Sequence, residues 1–561
     1  RDWSSDVCSS DLLNLDISKY EKALQPYLRN NKDYGAIPTD IIGEYGCMDV
    51  QVNRLIDKFI GNKIPEASKE VALTEVKLTK ELVKMEQRGM RYDVTKLQMA
   101  QLTTLNRISR IDDELTKIVG RSFKPNSPDD CYQVLCGQYG LPIIKYTTDS
   151  DGEETENASF DKKVLVAYKA MPYAPLDVIT RIIEFRKLSQ RNSLFFVPWQ
   201  KLAPDGIIHP TFNQAVRTGR MSCSEPNMQQ LDDFVAGLIE PRPGYSIISS
   251  DASQIEFRMI VDYINNPRCI QAYNSNPDTD FHDYVAELVK SVVGIKIGRS
   301  PAKTLNFQHG FGAGKRSVIN AVAANDDIVK AVKEKVDALN LPTMQLKLEE
   351  SNRMLIEMGT AIYEAYHKAL PELKPTAKAA EESCKAINRR LGLAPSSNAI
   401  RHWYGWIQNR YGRRRHLPYA EYRTDFKTKD SYDRAWLAFP TVNSSTAADL
   451  MKERFVSIMR DCVQDLPIYG LCLVHDECVW EAPTELANDP RLARDMIATL
   501  ESPKVTFKVP IRWSIGISDK NWLDASTGVE KGGKSGMLHY NKSEAQQLNW
   551  AREGGNYASS K

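Results

Sequence analysis

Hydrophobic and polar positions follow two different periods along the chain, which predict helices and strands in separate stretches. Leu78, Leu82, Val83 and Met85 recur at three- and four-residue spacing, as on one face of a helix. By the same criterion helices are predicted at 75–118, 179–196 and 281–390, and strands at 245–249, 471–480 and 508–517. This mixture indicates an α+β fold.

The remaining stretches predict loops and tails. Residues 149–157 are polar and predict an exposed loop, and the chain past about Ala525 is rich in Gly, Ser and Lys, which is typical of a loosely ordered tail. Residues 1–12, from Arg1 to Leu12, lack an initiating Met and the regions of a signal peptide, and they resemble a translated sequencing adapter. We exclude them from the fold and treat the chain as truncated at its N-terminus.

Composition limits the class of protein. With 561 residues the chain has room for several domains. No apolar run reaches the length of about 18 residues that a membrane span requires, so we expect no membrane partner. The net charge of +2 does not itself indicate a polyanionic partner, but Arg410 and residues 413–415 predict a local basic surface. Ten cysteines without a repeating spacing favour the reducing cytoplasm.

Two acidic segments are candidates for metal chemistry. A β-prone run ends in Asp251, and the spacing of Ser253 and Glu256 predicts a capping box that starts a helix. Far along the chain, two apolar arms flank His475, Asp476 and Glu477, which predicts a β-hairpin with its acids at the bend. Carboxylates on adjacent strand ends could hold two Mg²⁺ ions for phosphoryl transfer.

Each acidic segment also has a simpler interpretation. An Asp after a strand is most often a turn or N-cap residue, so neither acid alone identifies a site. Cys472, His475 and Cys478 offer a zinc alternative. In an extended strand, however, position 475 faces away from 472 and 478, which disfavours zinc.

A basic and aromatic stripe is predicted on one helix. Ser300-Pro301 is typical of a helix start, and Arg299, Lys303, Phe307 and Phe311 recur every four residues on one face. Such a stripe suits a nucleotide, with its phosphates on the cations and its base or sugar on a ring. The alternative is a half-buried helix with a solvated basic end.

Taken in order, these segments resemble those of the family A DNA polymerases. The resemblance spans roughly residues 75–525 and includes several further motifs. In chain order the matching segments are Thr218-Gly-Arg220 to Leu231, Asp251 to Arg258, Arg299 to Gly312, Gly412 to Pro418, Thr446-Ala-Ala-Asp449, Val474 to Glu477, and Val509-Pro510 to Asn521-Trp522. So many motifs in one order are not expected by chance.

The resemblance implies roles at the reaction centre. Asp251 and Asp476 hold two Mg²⁺ ions together with the backbone carbonyl of Ala252, and Glu477 lies nearby. The residues implied to bind the incoming dNTP are Arg299, Lys303, Phe307, Phe311, His282, Glu256 and Gln254. Of these, Lys303 is also a candidate general acid, Phe307 packs on sugar and base, and Glu256 excludes a ribose 2′-hydroxyl.

The resemblance also implies contacts with the primer and template. Arg220, His475 and Gln229 would bind DNA near the primer end. The family commonly has Gln two residues before Thr446, where this chain has Ser444, with Asn443 as the alternative for that contact. It also commonly has Tyr at the position of Phe311, so a hydroxyl contact is missing here.

The implied architecture is the right-hand polymerase fold, with an antiparallel palm sheet and mostly helical fingers and thumb. The expected boundaries are thumb 75–215, palm 216–280 and 420–526, fingers 281–419, and a polar tail 527–561. Residues 13–74 are expected to be the C-terminal remnant of an RNase H-like 3′–5′ exonuclease domain, because Tyr45 and Asp49 resemble one of its motifs. The upstream motifs of that site do not precede them, so we expect no proofreading.

The predicted function is DNA-directed DNA synthesis from dNTPs on a primer-template, in the cytoplasm of a bacterium or phage-infected cell. We expect a monomer, and the sequence does not identify a processivity factor. Two alternatives stay open: a single-subunit RNA polymerase, and a primer-template binding protein without catalysis.

Overall fold

The computed structural model describes residues 18–28, 35, 37–148, 154–169, 171, 174–390, 404–418, 435–531 and 539–540. Contacts divide the chain into two compact units, residues 1–72 and 73–561. No helix among the described residues combines the length and the apolar character needed to cross a membrane. The adapter-like residues 1–12 lie outside the described residues.

The first unit contains two described helices, α1 (Ser18–Leu28) and α2 (Thr39–Gly61). Tyr45 and Asp49 both lie on α2, four residues apart, and therefore share a face. Their assignment to an exonuclease remnant stays a prediction.

The second unit begins with mostly helical structure. Its elements up to residue 236 are α3 (Lys69–Arg88), β1 (Met90–Arg91), α4 (Val94–Val119), α5 (Pro128–Cys131), β2 (Tyr146–Thr148), β3 (Glu154–Ala158), α6 (Lys162–Lys169), α7 (Leu176–Arg191), α8 (Val197–Leu202), β4 (Ile207–Ile208), β5 (Thr211–Asn213), β6 (Ser222–Ser224) and α9 (Asp233–Ala236). Two π-helical segments, Tyr132–Gln138 and Asn192–Phe196, adjoin α5 and α7.

The following elements form a central sheet and a second helical region. Up to residue 390 they are β7 (Tyr245–Ala252), α10 (Ile255–Ile264), α11 (Pro267–Ser275), α12 (Phe281–Val293), α13 (Arg299–Gly310), α14 (Lys315–Ala323), α15 (Asp326–Ala338), α16 (Met344–Ala369) and α17 (Leu373–Arg390). The remaining ones are β8 (Tyr404–Gln408), β9 (Arg414–Pro418), α18 (Ala438–Ser457), β10 (Tyr469–Val474), β11 (Glu477–Pro483), α19 (Thr484–Ala487), α20 (Pro490–Leu500), β12 (Trp513–Ser518), α21 (Trp522–Lys531) and β13 (His539–Tyr540).

Several predicted boundaries are wrong. The predicted helix 75–118 is two helices, because the chain turns at Gly89, where φ is +66° and a Cβ would lie 2.6 Å from the Ile208 carbonyl oxygen. Residues 154–157, predicted as loop, belong to β3, which pairs with β2. The strand predicted from 508 begins at Trp513, and the tail predicted past Ala525 begins with the rest of α21.

The central sheet has the order β10-β11-β7-β12-β13, and all its strands are antiparallel. Its core is aromatic: Phe455 on α18 stacks on Trp480 of β11 with ring centroids 5.7 Å apart, and Trp513 on β12 is buried. The antiparallel sheet and the surrounding helices confirm the predicted α+β class.

A cluster of buried rings anchors α13 to α16. His309 on α13 is fully buried, its Nδ1 donates a 2.7 Å hydrogen bond to the Leu305 carbonyl, and its ring stacks on Tyr366 with centroids 4.0 Å apart. His367 packs against Tyr363 at 4.4 Å. Burial lowers the pKa of His309 to about 4, so the ring is neutral at neutral pH. The neutral ring can stay buried, which favours the packing of α13 on α16.

We therefore expect the protein to lose stability in mild acid partly through His309. Its folded pKa lies below the ordinary 6.5, so the stabilisation is present above pH 6.5 and is lost as the pH falls towards 4. The loss is at most about 1.4 kcal/mol per pH unit for this group. His309→Phe should therefore show a smaller drop in Tm between pH 7 and pH 5 than the wild type.

His209→Phe is the matched control, because His209 is exposed. It should keep the pH dependence of the wild type. If His309→Phe and the wild type lose the same Tm between pH 7 and pH 5, His309 does not contribute to the loss of stability in acid.

Candidate active site

The two predicted metal-binding aspartates lie at neighbouring strand ends. Asp251 is the penultimate residue of β7 and pairs with Glu477, the first residue of β11. Asp476 lies in the turn between β10 and β11, where His475 has a φ of +51°. The backbone carbonyl of Asp476 accepts a 2.9 Å hydrogen bond from the Ala252 N–H. The predicted strand end and hairpin bend are thus confirmed, and the two acids are partly exposed.

Glu477 is held by protein groups beside this pair. Its Oε1 accepts hydrogen bonds from Ser249 Oγ (2.6 Å) and Trp522 Nε1 (2.7 Å). Burial, reinforced by the charge of Asp476, raises the pKa of Glu477 above its usual value despite these donors. Its engaged carboxylate is consistent with the predicted position near, rather than within, the metal-binding pair.

The cysteines of the hairpin lie in surroundings that disfavour zinc binding. Cys472 and Cys478 are fully buried, and burial raises the pKa of both thiols well above 9.0. Zinc binds the thiolate form, which this environment strongly disfavours. Among the described residues, no group of three or more His, Cys, Asp or Glu side chains is arranged to hold a metal.

The helix that carries the stripe begins earlier than predicted, at Arg299. The N-cap of α13 is Gly298, and Ser300 lies inside the helix and makes no cap, so its predicted capping role is wrong. Arg299 Nη2 lies 2.8 Å from Asp280 Oδ2. Burial works to raise the pKa of Asp280, but the Arg299 guanidinium outweighs it and holds the pKa below its usual value.

The aromatic end of the stripe is confirmed. Lys303 Nζ lies 5.8 Å from the centroid of the Phe307 ring, and Phe307 and Phe311 stack with centroids 6.2 Å apart and an interplanar angle of 20°. Both rings are partly exposed and line an open cleft of about 1040 Å³. Trp436, which sequence reasoning missed, lies on the same cleft with 58% of its surface exposed.

His282 lies behind the stripe. It is buried, its Nδ1 is 3.0 Å from Asn306 Nδ2, and its ring centroid is 5.6 Å from that of Phe307. The Tyr366 hydroxyl donates a 2.6 Å hydrogen bond to Asn306 Oδ1. This chain of contacts fixes His282 close to Phe307, where the resemblance places the nucleotide.

The predicted capping box at the start of α10 is wrong. Gln254 is the N-cap with a φ of +51°, and no side chain caps the helix. Gln254 instead accepts a 3.0 Å hydrogen bond from the Phe281 N–H and donates a 3.1 Å bond to the Thr279 carbonyl. The side chain is buried and joins α10 to α12, and its expected contact with the nucleotide stays a prediction.

Glu256 is paired with Arg220 instead of with the helix start. The Glu256 carboxylate accepts a hydrogen bond from Arg220 Nη2, and 15% of its side-chain surface is exposed. Burial raises the pKa of Glu256; Arg220 and Lys303 oppose the shift, while Asp476 adds to it. The pKa of this one carboxylate therefore depends on charges from both the acidic hairpin and the basic stripe.

Three predicted DNA-binding residues share one cleft. Arg220, Gln229 and His475 border an opening of about 350 Å³, whose further lining is Met221, Ala448, Met451, Lys452 and Leu473. Gln229 Nε2 donates a 2.7 Å hydrogen bond to the Leu473 carbonyl. Burial and the charge of Arg220 lower the pKa of His475 below its usual value, although the charge of Asp476 opposes the shift.

The two candidates for the contact before Thr446 differ in exposure. Asn443 is fully buried within α18, and its side-chain amide has no hydrogen-bond partner among the described residues. Ser444 is partly exposed. Ser444 is therefore better placed to reach a ligand.

A charge network takes up Arg413, one of the arginines of the predicted basic surface. Arg413 Nε donates a 2.9 Å hydrogen bond to Asp449 Oδ1, and Lys452 Nζ lies 2.7 Å from Glu75 Oε1, which Arg413 also contacts. Burial works to raise the pKa of Glu75, but these two cations hold it below its usual value. Arg410 is likewise paired, with Asp262. The sequence motif Thr446-Ala-Ala-Asp449 pointed to Asp449 as a member of this network. No sequence pattern pointed to its pairing with the distant Arg413 or to the participation of Glu75.

Comparison with known proteins gives consistent results. Residues 94–335 match the family model described as DNA polymerase family A. The thermostable DNA polymerase I of Thermus aquaticus is 27% identical over 457 residues, which cover 79% of this chain and 47% of that protein. DNA polymerase DpoZ of Salmonella phage PMBT28 is 24% identical, over 82% of this chain and 70% of that protein.

A solved structure confirms the predicted right-hand polymerase fold. The POL domain of Pol1 from M. smegmatis, in complex with DNA primer-template and dNTP, matches with a TM-score of 0.64 and 19% identity. The match covers 90% of this chain and 79% of that one. This chain spans about half the length of the Thermus relatives.

Proposed function

We propose that this chain is a family A DNA polymerase, a DNA-directed enzyme that adds dNTPs to a primer 3′-hydroxyl and releases pyrophosphate. The match of residues 94–335 to the family model described as DNA polymerase family A supports the proposal. The observation that carries the proposal is the position of Glu256. Its carboxylate lies within electrostatic reach of Asp476 on the hairpin and of Lys303 on α13. An acid suited to metal ions and a cation suited to a triphosphate therefore both act on one carboxylate.

Two Mg²⁺ ions are the proposed cofactors. Carboxylate and carbonyl oxygens are the ligands that Mg²⁺ prefers, and Asp251, Asp476 and the Ala252 carbonyl provide them at adjoining strand ends. When bound, the ions would lower the pKa of the attacking hydroxyl and stabilise charge on the phosphates.

The protein's own groups would bind and orient the nucleotide. Arg299 and Lys303, in the first two turns of α13, suit the triphosphate, and Lys303 can protonate the leaving pyrophosphate. Phe307 would pack on the sugar and base. The primer-template is the proposed partner, as in the solved M. smegmatis complex, with Arg220, Gln229 and His475 bordering the primer end.

Primer extension tests the proposal. Wild-type protein with Mg²⁺ should extend a primer with dNTPs in preference to rNTPs. Asp476→Asn should lower the extension rate by at least about 10²-fold, because the neutral amide binds Mg²⁺ far less well than a carboxylate. Primer-template affinity, measured by fluorescence anisotropy, should stay within about threefold because phosphate contacts dominate it.

Asp519→Asn is the matched control, since Asp519 is an exposed aspartate just after β12, and it should extend like the wild type. Preferential use of rNTPs would favour a single-subunit RNA polymerase. DNA binding without extension in any Mg²⁺ buffer would favour a non-catalytic binding protein.

Phe307 provides an independent test of where α13 places the nucleotide. We expect dideoxynucleotides to be poor substrates, because Phe307 has no hydroxyl to replace the missing 3′-hydroxyl. Phe307→Tyr should reduce discrimination against a ddNTP by about tenfold or more. The measurement is the ratio of kcat/KM for the dNTP and the ddNTP.

Phe311→Tyr adds the same hydroxyl one turn further along the stripe and should change that ratio less. If Phe307→Tyr leaves the ratio unchanged, the sugar does not lie against position 307.

A further inference from the structure

One guanidinium connects the proposed sugar site with the proposed primer end. Arg220 precedes β6, and Glu256 lies in the first turn of α10, yet the two side chains form a charged hydrogen bond. Glu256 has 15% of its side chain exposed and Arg220 has 38%. A charge-assisted bond in a partly buried setting is stronger than one on the open surface.

Among the residues that the structure describes, Arg220 alone donates a hydrogen bond to the Glu256 carboxylate. Lys303 and Asp476 act on its carboxylate through their charges, with opposite signs. Phe311, on the same stripe as Lys303, has no side-chain donor. A glutamate has three rotatable side-chain bonds, so the carboxylate needs such a donor to keep one orientation.

Arg220 also borders the cleft formed with Gln229 and His475. Its charge reaches His475, whose pKa it helps to lower. A primer terminus in that cleft would therefore contact the same side chain that holds Glu256.

We propose that Arg220 is a positioning residue for sugar selection: it holds the Glu256 carboxylate towards the sugar of the incoming nucleotide and links that selection to the primer terminus. The inference rests on the proposed polymerase function and on Glu256 as the group that excludes a ribose. A carboxylate held by Arg220 fills the space that a 2′-hydroxyl would need. Without Arg220 it can rotate away, and the ribonucleotide is then accepted.

The test compares kcat/KM for a dNTP and its matching rNTP in single-nucleotide primer extension. Arg220→Gln should lower the dNTP/rNTP ratio by about tenfold, because a buried charged hydrogen bond is lost. Arg220→Lys keeps the charge and should recover most of the ratio. Glu256→Ala should also lower the ratio, because it removes the group that fills the space, and the double variant Arg220→Gln/Glu256→Ala should lower it no further than Glu256→Ala, since the two residues act as a unit.

Arg217→Gln is the matched control, an exposed arginine three residues earlier, and it should keep the wild-type ratio. If Arg220→Gln is too slow for kinetics, dNTP and rNTP affinities for a complex with a dideoxy-terminated primer give the same ratio without turnover.

The outcomes separate the inference from the proposed function. No extension by the wild type would overturn both. A normal ratio in Glu256→Ala would show that Glu256 does not select the sugar, and would overturn the inference while polymerase activity stands. A drop for Glu256→Ala together with equal losses of dNTP and rNTP use in Arg220→Gln would show that Arg220 serves the primer alone.

Discussion

The antiparallel register of β7 with β11 is the constraint on which the candidate site depends. Pairing of Asp251 with Glu477 brings the end of β7 to the β10–β11 turn, and the bond from the Ala252 N–H to the Asp476 carbonyl fixes that turn. Since side chains alternate between faces, a slip of one residue would move Asp251 to the opposite side of the sheet. The stacked Phe455 and Trp480 and the buried Trp513 oppose such a slip, because it would expose them.

Buried polar contacts attach the helices to this sheet. The network of Glu75, Arg413, Asp449 and Lys452 joins α3, the β8–β9 hairpin and α18. Such pairs add little net stability compared with apolar packing, but removing one partner leaves a buried charge uncompensated. Their effect is therefore to specify one arrangement of these elements around the cleft that Arg220, Gln229 and His475 border.

Sequence reasoning found the parts of the site that local patterns encode. Asp251 at a strand end, Asp476 at a hairpin bend and the stripe from Arg299 to Phe311 follow from periods of two and 3.6 residues, which neighbouring residues set. It failed where distant residues decide. The turn at Gly89 lies against the backbone of Ile208. The Gln254 side chain accepts a hydrogen bond from Phe281 instead of capping α10. Arg413 pairs with Glu75, which lies 338 residues away in the chain. No local pattern contains those partners.

The acidic side chains of the site lie close together, and the cations that offset their charge, Arg220 and Lys303, come from different parts of the chain. Asp476 raises the pKa of both Glu256 and Glu477, on top of the effect of burial, so the acidic side is electrostatically unfavourable by itself. Arg220 and Lys303 relieve this at Glu256, and neutral donors, Ser249 and Trp522, hold Glu477. Because Asp476 acts on both glutamates, unfavourable negative charge is concentrated at the hairpin turn. A divalent cation would therefore be stabilised most at that turn.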